Sequence, residues 1–351
     1  MNEKTSYLDL ILASFFNYKN DSMVDALKME KDFESIGEKY LNYLSFDYKE
    51  RISKIKKAID LNEKFLLSIV DKYSSNYKKN NSNLKTRAGE INKLRSTLKL
   101  FIRDWTIEGK KERDLTYKPI IEQIKKYFPD NNNSKNRSIL IPGTGLSRLA
   151  FEIGKMGFNV DAIEVSYYMI ICSDFIFNSN NLLNSNKYQI QPLIHSFNCL
   201  KKEDAPFQVF NFPDESIDEI MNNPNFGKIN IIPGDFIQSY KDKVNCYDGI
   251  ITSFFLDTAN NIIEFIEIIY NTLQKDGIWI NVGPLLYHFH EIPNEVSIEL
   301  SWEELKKIII KFGFEIQNEK IIDSTYSSVE ERLKTTIYSC IFFTAIKKEK
   351  K

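Results

Sequence analysis

The stretch ILIPGTGLSRLA, Ile139 to Ala150, runs apolar, breaks at Pro-Gly-Thr-Gly and resumes with helical character. An apolar strand, a glycine turn and a helix in that order can receive a nucleotide. Glycines let the backbone approach a ligand, and the helix N-terminus offers N–H donors. A plain tight turn has the same local pattern, so the surroundings must discriminate. Glu164 lies 21 residues after Gly143 and ends a second apolar run, FNVDAIEVS, where an acid can accept both hydroxyls of a ribose.

Outward from there the pattern alternates. SILIPG is a buried-type strand followed by a helix over 146–156, and FNVDAIEVS is a strand followed by a helix from Tyr167 to Asn178. KINIIPGDF, YDGIITSFFLD and GIWINVG are further strands, with a helix over 260–274 before the last. SWEELKKIIIKFGF opens on Ser301 with Glu304 three residues later, a capping box. Strand-like runs near 315–322 and 337–346, with no helix between them, predict an antiparallel hairpin at one sheet edge. Alternating strands and helices imply parallel pairing with right-handed crossovers. The expected fold is α/β and Rossmann-like: a seven-stranded, mostly parallel sheet with an antiparallel closing hairpin.

The ligand is expected to be S-adenosylmethionine (SAM) rather than a dinucleotide, for three reasons. A dinucleotide turn wants a third small glycine beside the pyrophosphate, and that place holds Arg148. The third strand ends in PGDF, where the carboxylate of Asp235 can accept the adenine amino group. The closing hairpin is an addition typical of SAM-dependent methyltransferases. Arg148 is expected to form a salt bridge or a stack within its helix.

Residues 1–128 are expected to form a helical region. Ile52, Ile55, Ile59, Leu66, Ile69, Val70 and Tyr73 recur at helical spacing, as do Leu94, Leu98, Phe101, Ile102 and Trp105. KKNNSNLKT, 78–86, reads as a loop and FPDNNNSKNRS, 128–138, as a linker to a catalytic domain over 137–351. Residues 187–228, with Pro192, Pro206, Pro213 and Pro224, interrupt the alternation as an insertion that either shapes the substrate site or elaborates the fold.

Lys and Arg number 47 against 48 Asp and Glu, so no basic face points to nucleic acid. No apolar run approaches the about 20 residues that span a bilayer. The four cysteines, Cys172, Cys199, Cys246 and Cys340, form no CxxC pair, which argues against structural zinc and disulfides and suits a reducing compartment. A cytoplasmic and nuclear location is expected, with no metal and no membrane partner.

As a set, KLRSTLKLFIRDW, ERDLTYKPII, ILIPGTGLSRLAFEI, GDF, FFLDTANNIIEFIEIIYNTL, GIWINVGPLLYHF and NEVSIELSWEEL resemble the carnosine N-methyltransferases, which methylate an imidazole nitrogen of histidine in small peptides. The likeness runs from about residue 92 to 345. It implies a SAM site in which Gly143 and Gly145 meet the methionine part, Glu164 the ribose, and Asp235 with Phe236 the adenine. Ser253 joins that set, and Arg103 of FIRDW would grip the cofactor's carboxylate, as a guanidinium can. Leu100 stands where the family often has glutamine and is read as helix packing. For the acceptor the resemblance implies Asp257, His288 and Tyr338 as catalytic and substrate-binding residues, with Phe254, Phe255 and Tyr287 lining the pocket. Thr336 replaces a family tyrosine two residues before Tyr338.

The residues taken singly have plainer roles. An Asp after an apolar strand is commonly a helix N-cap, and DTANN fits that. His288 is one of three histidines, with His195 and His290. The implied reaction is transfer of a methyl group from SAM to an imidazole nitrogen of a histidine-containing dipeptide, carnosine to anserine. The alternatives are methylation of a histidine within a protein, and a methyltransferase-like protein that only binds partners. The family likeness also leans toward a homodimer.

Overall fold

The apolar stripe from Ile52 to Val70 is buried in the helix Tyr48–Tyr73 of a computed structural model. The structure describes residues 7–73, 85–87, 89–129, 131–178, 186–327 and 332–348. Of the stretch read as a loop over 78–86, positions 78–84 lie outside the described residues.

The chain divides into two compact units, each built from separated segments. A helical unit takes Met1–Glu108, Asp174–Ile217 and Val329–Thr335, and a sheet unit takes Gly109–Ser173, Asp218–Ser328 and Thr336–Lys351. This differs from a linear division at 128 and 137. Helix Lys110–Tyr127 goes with the sheet unit, and most of the segment 187–228 goes with the helical one. The expected linker holds a short 3-10 turn, Asn131–Asn136.

In the helical unit, Tyr7–Phe16, Tyr18–Ser35, Tyr48–Tyr73 and Glu90–Trp105 are the longer helices. Aromatic packing explains why the proline-rich segment belongs here. Phe65 lies 5.2 Å from Phe101 and 4.9 Å from Phe212 between ring centroids, and Tyr188 stacks on Phe212. Strands are numbered along the chain, and two of them form a small antiparallel pair in this unit, β3 (Tyr188–Ile190) with β4 (Phe210–Phe212). Leu100 is buried, as a packing residue of its helix should be.

His195, in a 3-10 turn over Pro192–His195, is half-buried in the same unit. The Tyr18 hydroxyl accepts from Asn62 Nδ2 at 2.9 Å and lies 2.7 Å from His195 Nε2. Burial, with the charges of Arg95 and Lys99, pushes the His195 imidazole down to about 3. A histidine whose folded pKa is depressed stabilises the fold fully above its ordinary value near 6.5, and that stability is lost as pH falls toward 3. We expect the melting temperature to drop as pH is lowered from about 6.5 to 4, and His195→Gln to flatten that drop. Equal slopes in both proteins would remove His195 as the cause.

The sheet unit carries β1 (Ser138–Pro142), β2 (Asn159–Glu164), β5 (Ile229–Pro233), β6 (Tyr247–Ser253), β7 (Leu273–Gly283), β8 (Phe314–Ser324) and β9 (Tyr338–Lys347). Their order is β5-β2-β1-β6-β7-β9-β8. Pairing is parallel from β5 through β7, and antiparallel where β9 joins β7 and β8. The α/β fold, the mostly parallel seven-stranded sheet and the closing hairpin are thus as the sequence predicts. The buried runs of β1 and β6 explain their central places, since both sheet faces are covered there. Ser301 caps helix Trp302–Phe312 in a complete capping box with Glu304.

β1 has β2 on one side and β6 on the other. From β1 the chain runs outward through β2 to β5 and then returns to β6 on the other side of β1, and open α/β sheets bind ligands at the carboxyl ends of strands at such a switch point. Among the described residues no helix is long and apolar enough to cross a membrane, and no group of three or more His, Cys, Asp or Glu side chains could hold a metal.

Candidate active site

The glycine turn follows β1 at the switch point. Gly143 and Gly145 have φ of +65° and +57°, in the left-handed region that favours glycine. The N–H groups of Gly143 and Thr144 both donate to Ile163 O, at 2.9 and 3.2 Å, which ties the turn to the end of β2. A Cβ at Gly143 would stand 2.6 Å from Phe255 Cδ2, whereas one at Gly145 would meet nothing within 4 Å. The Thr144 side chain is buried, and its Oγ1 has no hydrogen-bond partner. Past the turn, Arg148 donates from Nε to Glu152 Oε1 at 2.8 Å and lies over the Phe151 ring, so it serves its own helix.

Glu164 closes the turn from the other side. Its Oε2 accepts from Gly145 N–H at 2.9 Å, and its Oε1 from Val165 and Ser166 N–H at 3.0 and 2.9 Å. Burial pushes this carboxyl above its ordinary range, and the three N–H groups oppose that shift. Gly234 N–H donates to Glu164 O at 2.9 Å, which brings the loop carrying Asp235 beside it. Asp235 caps helix Phe236–Tyr240, its Oδ1 accepting from Gln238 N–H at 2.9 Å. Phe236 is buried edge-on to Phe255 and Phe265, and Phe255 stacks on Phe265 at 4.8 Å. The ring beside Gly143 is therefore held in a packed cluster.

β6 ends at Ser253, which is half-buried. The next residue, Phe254, has φ of +52°, a left-handed conformation that costs a non-glycine residue about 1–2 kcal/mol. Its N–H donates to Val282 O at 2.8 Å, so the strain is held by the β7 end. The Phe254 ring lies 4.9 Å from Tyr326 and edge-on to Tyr338 at 5.9 Å. Tyr338 is the first residue of β9.

Asp257 follows in a buried 3-10 turn, Leu256–Thr258. It does not cap the next helix; Asn261 does, accepting from Ile263 N–H. Asp257 instead grips the chain after β7. Its Oδ2 accepts from Leu286 N–H at 3.0 Å, and its carbonyl accepts from His288 N–H at 2.9 Å. Burial pushes the carboxyl above its ordinary range, opposed by the Leu286 N–H and the nearby His288. His288 itself is exposed. Between them, Tyr287 uses its hydroxyl twice, donating to Leu300 O at 2.7 Å and accepting from Leu300 N–H at 3.0 Å.

Gly143, Gly145, Glu164, Asp235 and Phe236 are thus joined by direct bonds or by ring contacts through Phe255, and Asp257 is joined to His288 through the backbone. Phe254 touches Tyr338. Arg103 lies in the helical unit, where its Nη1 donates to Asp104 Oδ1 at 2.9 Å and both side chains are buried. Sequence reasoning missed Thr144, Leu286 and Tyr326. Thr144 stood inside the quoted motif, and a hydroxyl between two glycines was the signal that could have marked it. A backbone N–H such as that of Leu286 leaves no trace in residue type.

The chain is similar to known proteins. The family model described as carnosine N-methyltransferase matches residues 79–349. A carnosine N-methyltransferase from Mus musculus is 36% identical over 342 residues, 95% of this chain and 84% of that protein. One from Drosophila melanogaster is 40% identical over 261 residues, 74% of this chain and 56% of that protein. Among solved structures, a magnesium protoporphyrin IX methyltransferase from Synechocystis with bound SAH aligns over 72% of this chain and 93% of its own, at 12% identity and a TM-score of 0.41. With most of its length inside the family model and more than a third of it identical to the mouse enzyme, the chain belongs to the carnosine N-methyltransferase family.

Proposed function

We propose that the protein transfers a methyl group from SAM to an imidazole nitrogen of carnosine. The observation that carries this is Asp257, a buried carboxylate at the end of β6, one strand from the glycine turn and bonded to the segment that bears His288. The glycine turn fits SAM. Gly145 faces open space, the buried Thr144 hydroxyl lacks a partner, and the acid Glu164 stands at the end of β2.

When bound, SAM supplies an electrophilic methyl group. The protein's residues then have to present a neutral imidazole in one orientation. Imidazole titrates near 6.5, so much of it is neutral at about pH 7, and alignment dominates over deprotonation. Asp257 accepts a hydrogen bond from the imidazole N–H that is not methylated, fixing the tautomer and turning the other lone pair outward. A carboxylate has capacity for that donor beside Leu286 N–H. His288 orients the substrate or takes up the released proton, Tyr338 holds the substrate, and Phe254 shapes the pocket wall. Gly143, Gly145, Glu164, Asp235, Phe236 and Ser253 hold SAM. The proposal extends to a homodimer in cytoplasm and nucleus, supported by the family resemblance and by cysteine usage.

The test is incubation of purified protein with labelled SAM and carnosine, with mass spectrometry of the product. Methylcarnosine is expected. Label entering cellular protein but not carnosine would move the acceptor to a protein histidine, and cofactor binding without any transfer would overturn the enzyme assignment.

Tyr287 has a narrower part. Its hydroxyl is occupied by Leu300, so it acts by holding residues 286–288 against Asp257. Each of its two bonds contributes about 0.5–1.5 kcal/mol. Tyr287→Phe should lower kcat/KM by roughly tenfold while the Kd for SAM stays unchanged. A wild-type kcat/KM would show that the clamp does not matter.

A further inference from the structure

The helical unit gathers positive charge for which methyl transfer has no use. Arg95 and Lys99 lie one turn apart on helix Glu90–Trp105 and so share a face. Arg95 Nη2 donates to Ser22 Oγ at 3.3 Å and to Asp25 Oδ2 at 2.6 Å. Ser22 lies one turn beyond Tyr18, whose hydroxyl meets His195. The residue after His195 receives a third cation. Arg332 Nη1 donates to Ser196 Oγ at 3.0 Å and Asn198 O at 2.8 Å, and its Nη2 to Ser196 O at 3.0 Å. A bridge between Leu200 and Arg332, and a bond from Leu333 N–H to Cys199 O, pin the backbone there. Two separated segments, helix Glu90–Trp105 and the stretch at Arg332, therefore bring Arg95, Lys99 and Arg332 to one place. Lys99 stands close enough to feel both guanidinium charges.

Among the described residues their acceptors do not balance that charge. Arg95 is paired with Asp25, a largely exposed carboxylate, and its buried Nε has no acceptor. Arg332 meets neutral oxygens, and among the described residues neither it nor Lys99 has a carboxylate partner. Like charges half-removed from water repel, and folds normally avoid this by interleaving acids. Fixed guanidinium forks with N–H donors to spare match the paired oxygens of an oxyanion.

We propose that Arg95, Lys99 and Arg332 form a binding site for an oxyanion, the phosphate or carboxylate group of a small ligand. The site is independent of the methyl-transfer assignment. It is tested on the full chain by thermal unfolding and calorimetry with sodium phosphate in one arm and sodium acetate in another, each against sodium chloride at equal ionic strength. The wild-type melting temperature should rise with one oxyanion, and the arm giving the larger rise identifies the group. In Lys99→Gln the apparent affinity should fall at least tenfold. In chloride alone that variant should melt at or above the wild type, because one of three repelling charges is gone. Absence of an oxyanion-dependent rise in the wild type would overturn the proposal. So would an equal rise in Lys99→Gln. A variant melting well below the wild type in chloride would assign Lys99 to the fold and overturn it equally. Arg332→Gln is the weaker variant, since Arg332 also holds Ser196 and Asn198.

Discussion

Asp257→Ala is expected to lower kcat for carnosine methylation by at least about 100-fold, the scale of a lost orienting acid or base, while SAM still binds. Alanine removes the acceptor for the imidazole N–H and also frees Leu286 N–H. Asp257→Asn separates the two effects, because its side-chain oxygen can still accept from Leu286. The pH profile adds a sign. Burial raises the Asp257 carboxyl above its ordinary range, so its ionised form should be lost, as pH falls, earlier than for an exposed carboxylate near about 4. Wild-type activity should therefore show that loss in addition to protonation of the substrate's own imidazole, and Asp257→Asn should show the second alone. For stability the sign reverses. A raised folded pKa means the charged form is disfavoured in the fold, so stability falls as pH rises through that value. At about pH 7 Asp257→Asn should melt no lower than the wild type. Stepped kinetics and melting curves on both variants check this. An active Asp257→Ala, or an Asp257→Asn that unfolds early, would assign Asp257 to structure.

Gly145→Ala is expected to weaken SAM binding at least tenfold with little loss of fold. The positive φ costs alanine about 1–2 kcal/mol, but its methyl group enters open space, which the proposed function assigns to the methionine part of the cofactor. Gly143→Ala makes the contrast. Its methyl group would press 2.6 Å from a Phe255 ring that is stacked on Phe265 and packed against Phe236. Overpacking of that kind costs a further roughly 1–3 kcal/mol, so this variant should lose melting temperature and binding together. Calorimetric Kd values and thermal melts measure both. If Gly145→Ala binds SAM like the wild type, the ligand does not lie against that turn.

Local chemistry made most of the sheet unit legible in the sequence. Apolar runs of about five residues, ended by Gly-Thr-Gly, Glu164 and Gly-Asp, specify strands and the turns that close them, and the structure keeps to both. The helix read as 146–156 spans Arg148–Lys155, because Ser147 takes a left-handed conformation and cannot begin it. Grouping across the chain was not legible. Nothing local says that Tyr188 packs on Phe65, or Phe212 on Phe65 and Phe101, each pair over a hundred residues apart in sequence, so the segment 187–228 read as an insertion without a home. The site shows the same division. Residue types marked Glu164 and Asp257, while the partners that set their orientation are backbone N–H groups of Gly145, Val165, Ser166 and Leu286, which every sequence carries. The strain at Phe254 was equally silent, since it arises from the bond to Val282 rather than from any preference of phenylalanine.

Three backbone amides of the protein itself engage Glu164, and one belongs to Gly145. The turn is therefore pre-shaped, and the entropy of ordering it is met by folding rather than by capture of the cofactor. Association with SAM should then be paced by diffusional encounter, with a single kinetic phase whose observed rate rises linearly with concentration. Loosening the turn by Glu164→Ala would convert that line into a curve that saturates, as an ordering step begins to limit the approach.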